Sequence, residues 1–275
     1  MPDLPSATFP FPALLRTRGL KGCTALAVML ILAACFATGS HATDISVCVD
    51  QDSPPTAYWA RDAQGNKTDV LTGSSIELFR TVFARMGLNV TYLASMPWVR
   101  CMKTVEVGSV NFAIDAYIDK DRQQLFVFSI PYQTFTPQVF FDANRPVSVT
   151  SKADLKKYKG CGMLGWSYEH YGLNPADLDL GVNEYKQLFA KLKAGRCDYF
   201  VEELEAIAGF KLLGFNYLDD PEIKHGALTD VEGARLFLIA GKHSSSARLV
   251  PEIDRVLQGM LASGEVARII AKYQP

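Results

Sequence analysis

From Asp44 to Ile114 the chain alternates between two hydrophobic periods, and that succession restricts the fold more than any other feature. Asp44–Asp50 places Ile45, Val47 and Val49 at every second position, the spacing of a strand with one covered face. Two prolines, Pro54 and Pro55, then break the chain, and Asp62–Asn66 forms a polar turn beyond Tyr58-Trp59. Ile76, Phe79, Phe83 and Met86 recur at helical spacing, with Ser74 or Ser75 as the expected N-cap and Gly87 as the stop. Leu88–Leu93 reads as a second strand. Pro97 opens a helix through Val99, Met102 and Val105 to Gly108, and Val110–Ile114 is a third strand. Strands separated by helices need long crossovers, so this order predicts a parallel sheet with covered faces.

A second series follows the break at Asn144-Arg145-Pro146. Lys152–Tyr158 is predicted as a short helix, Cys161–Leu164 as a strand, and Gly165-Trp166-Ser167 as a turn with Ser167 placed to cap a helix. Glu184–Ala194 carries Tyr185, Leu188, Phe189 and Leu192 on one helical face; Cys197–Val201 reads as a buried strand and Leu204–Leu213 as helix. Leu236–Ala240 is a further strand. A helix opening at Pro251 carries Ile253, Val256, Leu257, Met260 and Leu261, and Glu265–Tyr273 is a last helix.

Ahead of all this, Arg16, Arg18 and Lys21 precede an apolar run from Ala25 to Ala34 and a small-residue exit ending at Ser40-His41-Ala42. That is the pattern of a secretory signal over residues 1–42. The run falls short of the roughly 20 apolar residues that span a bilayer, and no later run is longer. A second reading takes Leu32-Ala33-Ala34-Cys35 as a lipobox, with Cys35 lipidated. Cleavage after Ala42 leaves Cys48, Cys101, Cys161 and Cys197. An even count in an exported chain predicts disulfides with three possible connectivities, and the spacing fits no zinc site. A formal net charge of −1 gives no footprint for nucleic acid.

The segment Asn111–Tyr132 holds the chemistry. Arg122 stands alone after an acidic turn, and a guanidinium offers a planar fork that matches a carboxylate. The plain alternative is a solvated arginine beside Asp119 and Asp121.

Six phrases in order resemble the bacterial extracellular solute-binding proteins of family 3, the polar amino acid binders. They are Asp50–Tyr58, Leu71–Met86, Pro97–Asn111, Asp119–Tyr132 (DKDRQQLFVFSIPY), Gly195–Glu203 (GRCDYFVEE) and Gly259–Tyr273. The resemblance implies the two-lobed, type II periplasmic binding protein fold: α/β lobes, each a mainly parallel sheet flanked by helices, joined by two hinge strands. Lobe 1 would be residues 44–137 plus 234–275, and lobe 2 residues 138–233. It implies pairing of Cys48 with Cys101 and of Cys161 with Cys197, one disulfide per lobe. It implies that Arg122 grips a ligand carboxylate, aided by Ser167 and the helix start that it caps. Glu203, where relatives carry Asp, would meet the ligand ammonium. Trp98 would flank the ligand side chain, with Tyr58, Trp59 and Trp166 as weaker candidates for that wall.

The departure from the family lies at Asp115-Ala116-Tyr117, where relatives usually have small hydroxyl residues. Asp115 adds an acid that favours a cationic ligand, and Tyr117 narrows the pocket. The implied function is a periplasmic protein, monomeric and without cofactor or metal, that captures an amino acid or similar zwitterion by hinge closure for an ABC permease in the inner membrane. Two other readings are a ligand-sensing accessory protein for a membrane signalling partner and a cyclohexadienyl dehydratase-like enzyme on the same fold. The enzyme would need Glu203 or Asp115 as general acid; His170, His225 and His243 are scattered and expected to be exposed.

Overall fold

The structure, a computed structural model, describes residues 44–50 and 52–274, so the predicted leader and Cys35 lie outside the described residues. The opening alternation folds as expected. Strand β1 (Asp44–Cys48) is followed by a hairpin, β2 (Tyr58–Arg61) and β3 (Lys67–Thr72), then helix α1 (Ser74–Arg85), β4 (Asn89–Leu93), α2 (Trp98–Glu106) and β5 (Phe112–Ala116). β1 lies between β4 and β5 and runs parallel to both. The short helix α3 (Lys120–Leu125), β6 (Phe126–Phe128) and β7 (Gln133–Phe135) come next.

The first sheet has the order β4-β1-β5-β13-β6, with β7 also on β13 (Ala234–Gly241). β13 returns from the far end of the chain and pairs antiparallel with β5, β6 and β7, so only part of this sheet is parallel. Its core gathers Val47, Phe79, Phe83, Phe112 and Leu238 under α1, α7 (Val250–Ala262) and α8 (Glu265–Ala271). The strand and helical periods singled out Val47, Phe79 and Phe83, and Phe112 and Leu238 lie within the strands expected at Val110–Ile114 and Leu236–Ala240.

The second sheet has the order β10-β9-β11-β8-β12. Its strands are β8 (Pro137–Asp142), β9 (Gly160–Met163), β10 (Leu178–Val182), β11 (Tyr199–Glu203) and β12 (Ile223–Ala227), with α4 (Lys152–Leu155), α5 (Tyr185–Lys193) and α6 (Leu204–Gly209) around them. β9, β10 and β11 are parallel, whereas β8 pairs antiparallel with β11 and β12. Phe140 stacks on Phe200 at 5.0 Å in its core. The chain passes from one sheet to the other between β7 and β8 and comes back between β12 and β13. One disulfide ties Cys48 to Cys101 and the other Cys161 to Cys197, closing separations of 53 and 36 residues.

Two local expectations are corrected and a third, which holds, is refined. Neither Ser74 nor Ser75 caps α1; its N-cap is Gly73 at φ 129°, where a Cβ would sit 2.2 Å from Thr56 O. The first amides are instead satisfied by backbone, Ser74 N donating to Pro55 O at 2.9 Å and Ser75 N to Thr56 O at 3.1 Å. Ser167 caps no helix, because the turn after it is a single 3-10 turn, Glu169–Tyr171, with Tyr168 at its N-cap. The predicted Leu204–Leu213 helix is α only as far as Gly209, then continues as a 3-10 turn over Phe210–Leu213.

Candidate functional site

The end of β5 builds the first wall. Asp115 has φ 66°, a left-handed conformation that Asp tolerates better than most side chains, and it turns the chain at the strand end. Its Oδ1 accepts from Ser75 Oγ at 2.5 Å and Tyr132 Oη at 2.7 Å, while its backbone N–H donates to the same Tyr132 oxygen at 2.8 Å. Burial pushes the Asp115 carboxyl above the usual carboxylate range, and the hydroxyls of Ser75, Tyr132 and Thr56 act against that. Ser75, freed from capping, has become a support for this carboxylate.

Four residues on, Asp119 caps α3 by accepting from Arg122 N at 2.7 Å. Arg122 is 8 % exposed, and its guanidinium folds back over the cap. Nη1 donates to Tyr117 O at 2.9 Å, Nη2 donates to Gly165 O at 3.0 Å, and Nε lies 3.3 Å from Asp119 Oδ2. Gly165 follows β9, so one guanidinium touches backbone beside both sheets. Burial lowers the Arg122 pKa while the charge of Asp119 opposes it, and a guanidinium this basic stays charged.

Arg122 and Asp115 line one cleft with Trp98, Tyr117, Trp166, Ser167 and Tyr185, enclosing about 550 Å³ of empty space including the part open to solvent. Asp50, Ser53, Thr56, Phe135 and Leu236 complete much of that lining. Asp50, Ser53, Trp98, Trp166 and Tyr185 also line a neighbouring chamber of about 1540 Å³, again counting solvent-open space. Across it, Gly165 sits so close to Val99 that a Cβ would come within 2.3 Å of Val99 Cγ2.

Of the residues picked from sequence, Arg122, Trp98, Ser167, Asp115 and Tyr117 are together in this cleft. Glu203 and Tyr58 are elsewhere. Tyr58 is 8 % exposed and packs into the second core with Phe210 and Leu213. Glu203 is 1 % exposed and accepts from Tyr117 Oη at 2.7 Å and Tyr171 Oη at 3.1 Å, with His170 Nε2 also at 3.1 Å. Tyr117 thus stands between Glu203 and the cleft. His170, expected to be exposed, is instead half-buried against Glu203 and the Tyr117 ring. Trp59 packs against the first core rather than the cleft, and Lys67 Nζ lies over its ring.

The neighbour Glu202 is equally buried and accepts from Tyr185 Oη at 3.0 Å, while its Oε1 accepts from Glu203 N at 3.0 Å. Burial and the adjacent Glu203 charge hold the Glu202 carboxyl well above its usual range. Burial also acts to raise Glu203, but hydrogen bonds from Glu202, His170 and Tyr117, with the His170 charge, bring it below the usual range. The two carboxyls of the pair are thus shifted in opposite directions behind a wall of phenols.

Sequence reasoning missed Asp50, Ser53, Thr56 and, as a cleft residue, Tyr185. Asp50 follows β1, and ligand clefts in α/β sheets lie beyond the carboxyl ends of strands, so that rule would have found it.

The model of the family described as "Bacterial extracellular solute-binding proteins, family 3" matches residues 45–275. The chain is 29 % identical over 224 residues to the Bacillus subtilis (strain 168) probable ABC transporter extracellular-binding protein YckB, covering 73 % of this chain and 74 % of that protein. It is 22 % identical over 219 residues to the L-cystine-binding protein TcyA of the same organism, covering 80 % and 76 %. Among solved structures, the amino acid ABC transporter substrate-binding protein AbpA from Streptococcus pneumoniae Canada MDR_19A, bound to L-arginine, shares the fold at TM-score 0.67 and 20 % identity over 84 % of this chain and 94 % of that one. With an α/β sheet on each side of a cleft, two chain crossings between them and a match that spans the folded region, this chain belongs to the bacterial extracellular solute-binding proteins, family 3.

Proposed function

We propose that this solute-binding protein captures an amino acid or similar small zwitterion and delivers it to an ABC permease without converting it. The observation that carries the reading is the position of Arg122, buried at the cleft and bonded to carbonyl oxygens on both sides of it. Each terminal nitrogen keeps a second N–H, the pair that a carboxylate takes bidentately. Asp115 and Asp50 in the same lining suit the ligand's cation. A ligand that meets groups from both sheets binds the closed arrangement better than an open one, which is what hinge closure requires. Export with cleavage after Ala42, rather than tethering at Cys35, and action as a monomer in the periplasm belong to the same reading.

The test is a thermal-shift screen of amino acids beside their carboxamide counterparts, with the ligand recovered and checked by NMR. A zwitterion should raise the melting temperature by mass action and be recovered unchanged, and its carboxamide should not stabilise. Equal stabilisation by the carboxamide contradicts the role of Arg122, and a converted ligand contradicts capture.

A further inference from the structure

We propose that the ligand's cation is an N-methylated, quaternary ammonium group, enclosed by the rings of Trp98, Tyr117, Trp166 and Tyr185. The inference rests on the carboxylate reading of Arg122 and goes further, to the other end of the zwitterion. All four rings line the cavity that Arg122 lines. Trp98 begins α2 and Tyr117 follows β5, on the side of the first sheet; Trp166 follows β9 and Tyr185 begins α5, on the side of the second. Trp166 and Tyr185 meet edge to face, centroids 5.6 Å apart and planes at 83°, which forms the corner of a box. Aromatic boxes hold methylated ammonium groups through the negative faces of the rings.

The hydrogen bonding of the walls points the same way. A primary ammonium brings three N–H donors that must find acceptors when desolvated. Glu203 is shut away by Tyr117, whose phenol donates to it at 2.7 Å, which leaves Asp50 and Asp115 as the carboxyls that line the cavity. The Oδ1 of Asp115 is already shared by two hydroxyl donors. A quaternary ammonium has no N–H to satisfy. It needs apolar contact for its methyl groups, electron-rich faces and nearby negative charge. Tyr117 donates to the buried Glu203 carboxylate, and a phenol bonded in this way has a more electron-rich ring.

The experiment is calorimetric titration of the disulfide-bonded mature protein with glycine, N,N-dimethylglycine, N,N,N-trimethylglycine and choline. Affinity should rise with each methyl group, trimethylglycine binding at least about tenfold tighter than glycine. Trp166→Leu should abolish that preference and Trp166→Phe should retain part of it, with melting curves confirming that both variants fold. Glycine or another primary-amine amino acid binding as tightly as its trimethylated form, an unchanged preference in Trp166→Leu, or no binding of trimethylglycine would each overturn the proposal. The choline arm separates the two ideas. Choline binding as well as trimethylglycine, with Arg122→Ala having no effect, would remove the carboxylate reading and leave the box in place.

Discussion

Tyr117 Oη donates to Glu203 Oε2 at 2.7 Å, joining the loop after β5 in one sheet to the last residue of β11 in the other. The contact ties the two sides of the cleft through a charge-assisted bond to a buried acid.

Replacing Tyr117 with Phe removes this bond and leaves the ring. Glu203 keeps Tyr171 and His170 as partners, so the fold should survive but lose about 1.5–3 kcal/mol, the usual worth of a hydrogen bond to a charged group. Urea unfolding of Tyr117→Phe beside the parent at neutral pH measures it, and a loss under about 0.5 kcal/mol would show the bond to be incidental.

The buried acid pair should give opposite pH signatures. Glu203 is held below its usual value of 4.5, so its contribution is present above that value and is lost as pH falls below it. Glu202 is held well above 4.5, so its contribution is present below that value and is lost as pH rises through the folded-state value. Glu203→Gln should therefore cost about 3 kcal/mol at neutral pH and flatten the acid limb of the stability curve. Glu202→Gln, an isostere of the protonated acid, should leave neutral stability equal or higher and flatten the alkaline limb. Thermal unfolding of both variants across pH decides, and equal losses in the two would refute the asymmetry.

Asp115 joins a strained backbone to two hydroxyl donors. Asn tolerates φ near 66° and offers a carbonyl oxygen to Ser75 and Tyr132, so Asp115→Asn should stay within about 1 kcal/mol of the parent. Asp115→Val should lose about 2–4 kcal/mol, since a β-branched residue resists that conformation and leaves both hydroxyls without their acceptor. Denaturant melts of the two variants check the order, and a Val variant as stable as the Asn one would contradict it.

How far these relationships were legible depended on whether they lie in local pattern. The periods that place Ile45, Val47, Phe79, Phe83, Leu188 and Leu257 inside were plain, because burial of one face repeats with the element's own pitch. The hairpin strand Lys67–Thr72 was not, since its side chains are exposed or half-buried and backbone pairing with β2 holds it. β12 is a similar case: of Ile223–Ala227 only Ile223 is buried, so no alternation marks the strand. At the site, Arg122 and Trp98 stood out by chemistry and by the resemblance. The Tyr117–Glu203 bond could not, because its partners lie 86 residues apart and only the folded chain brings them together. Tyr185 read as one more core residue on a helical face. It is one, and it also lines the cleft, because α5 begins at the cleft.

The two disulfides close loops of 53 and 36 residues, for which loop entropy predicts about 4 kcal/mol each. Replacing Cys48 and Cys101 together with Ser, or Cys161 and Cys197 together, should lower stability by comparable amounts. Unfolding under oxidising and reducing conditions tests this. Should reduction leave the parent protein's midpoint unmoved, the cross-links add nothing to its stability.

Capture of a zwitterion depends above all on Arg122 as the anchor for the ligand's carboxylate. Isothermal titration of the parent and of Arg122→Ala with the tightest zwitterion from the thermal-shift screen tests it most directly. Arg122→Ala should lose at least about a hundredfold in affinity, matching the removal of a bidentate charged contact, with the melting curve still cooperative. Unchanged affinity in a folded Arg122→Ala protein would contradict it.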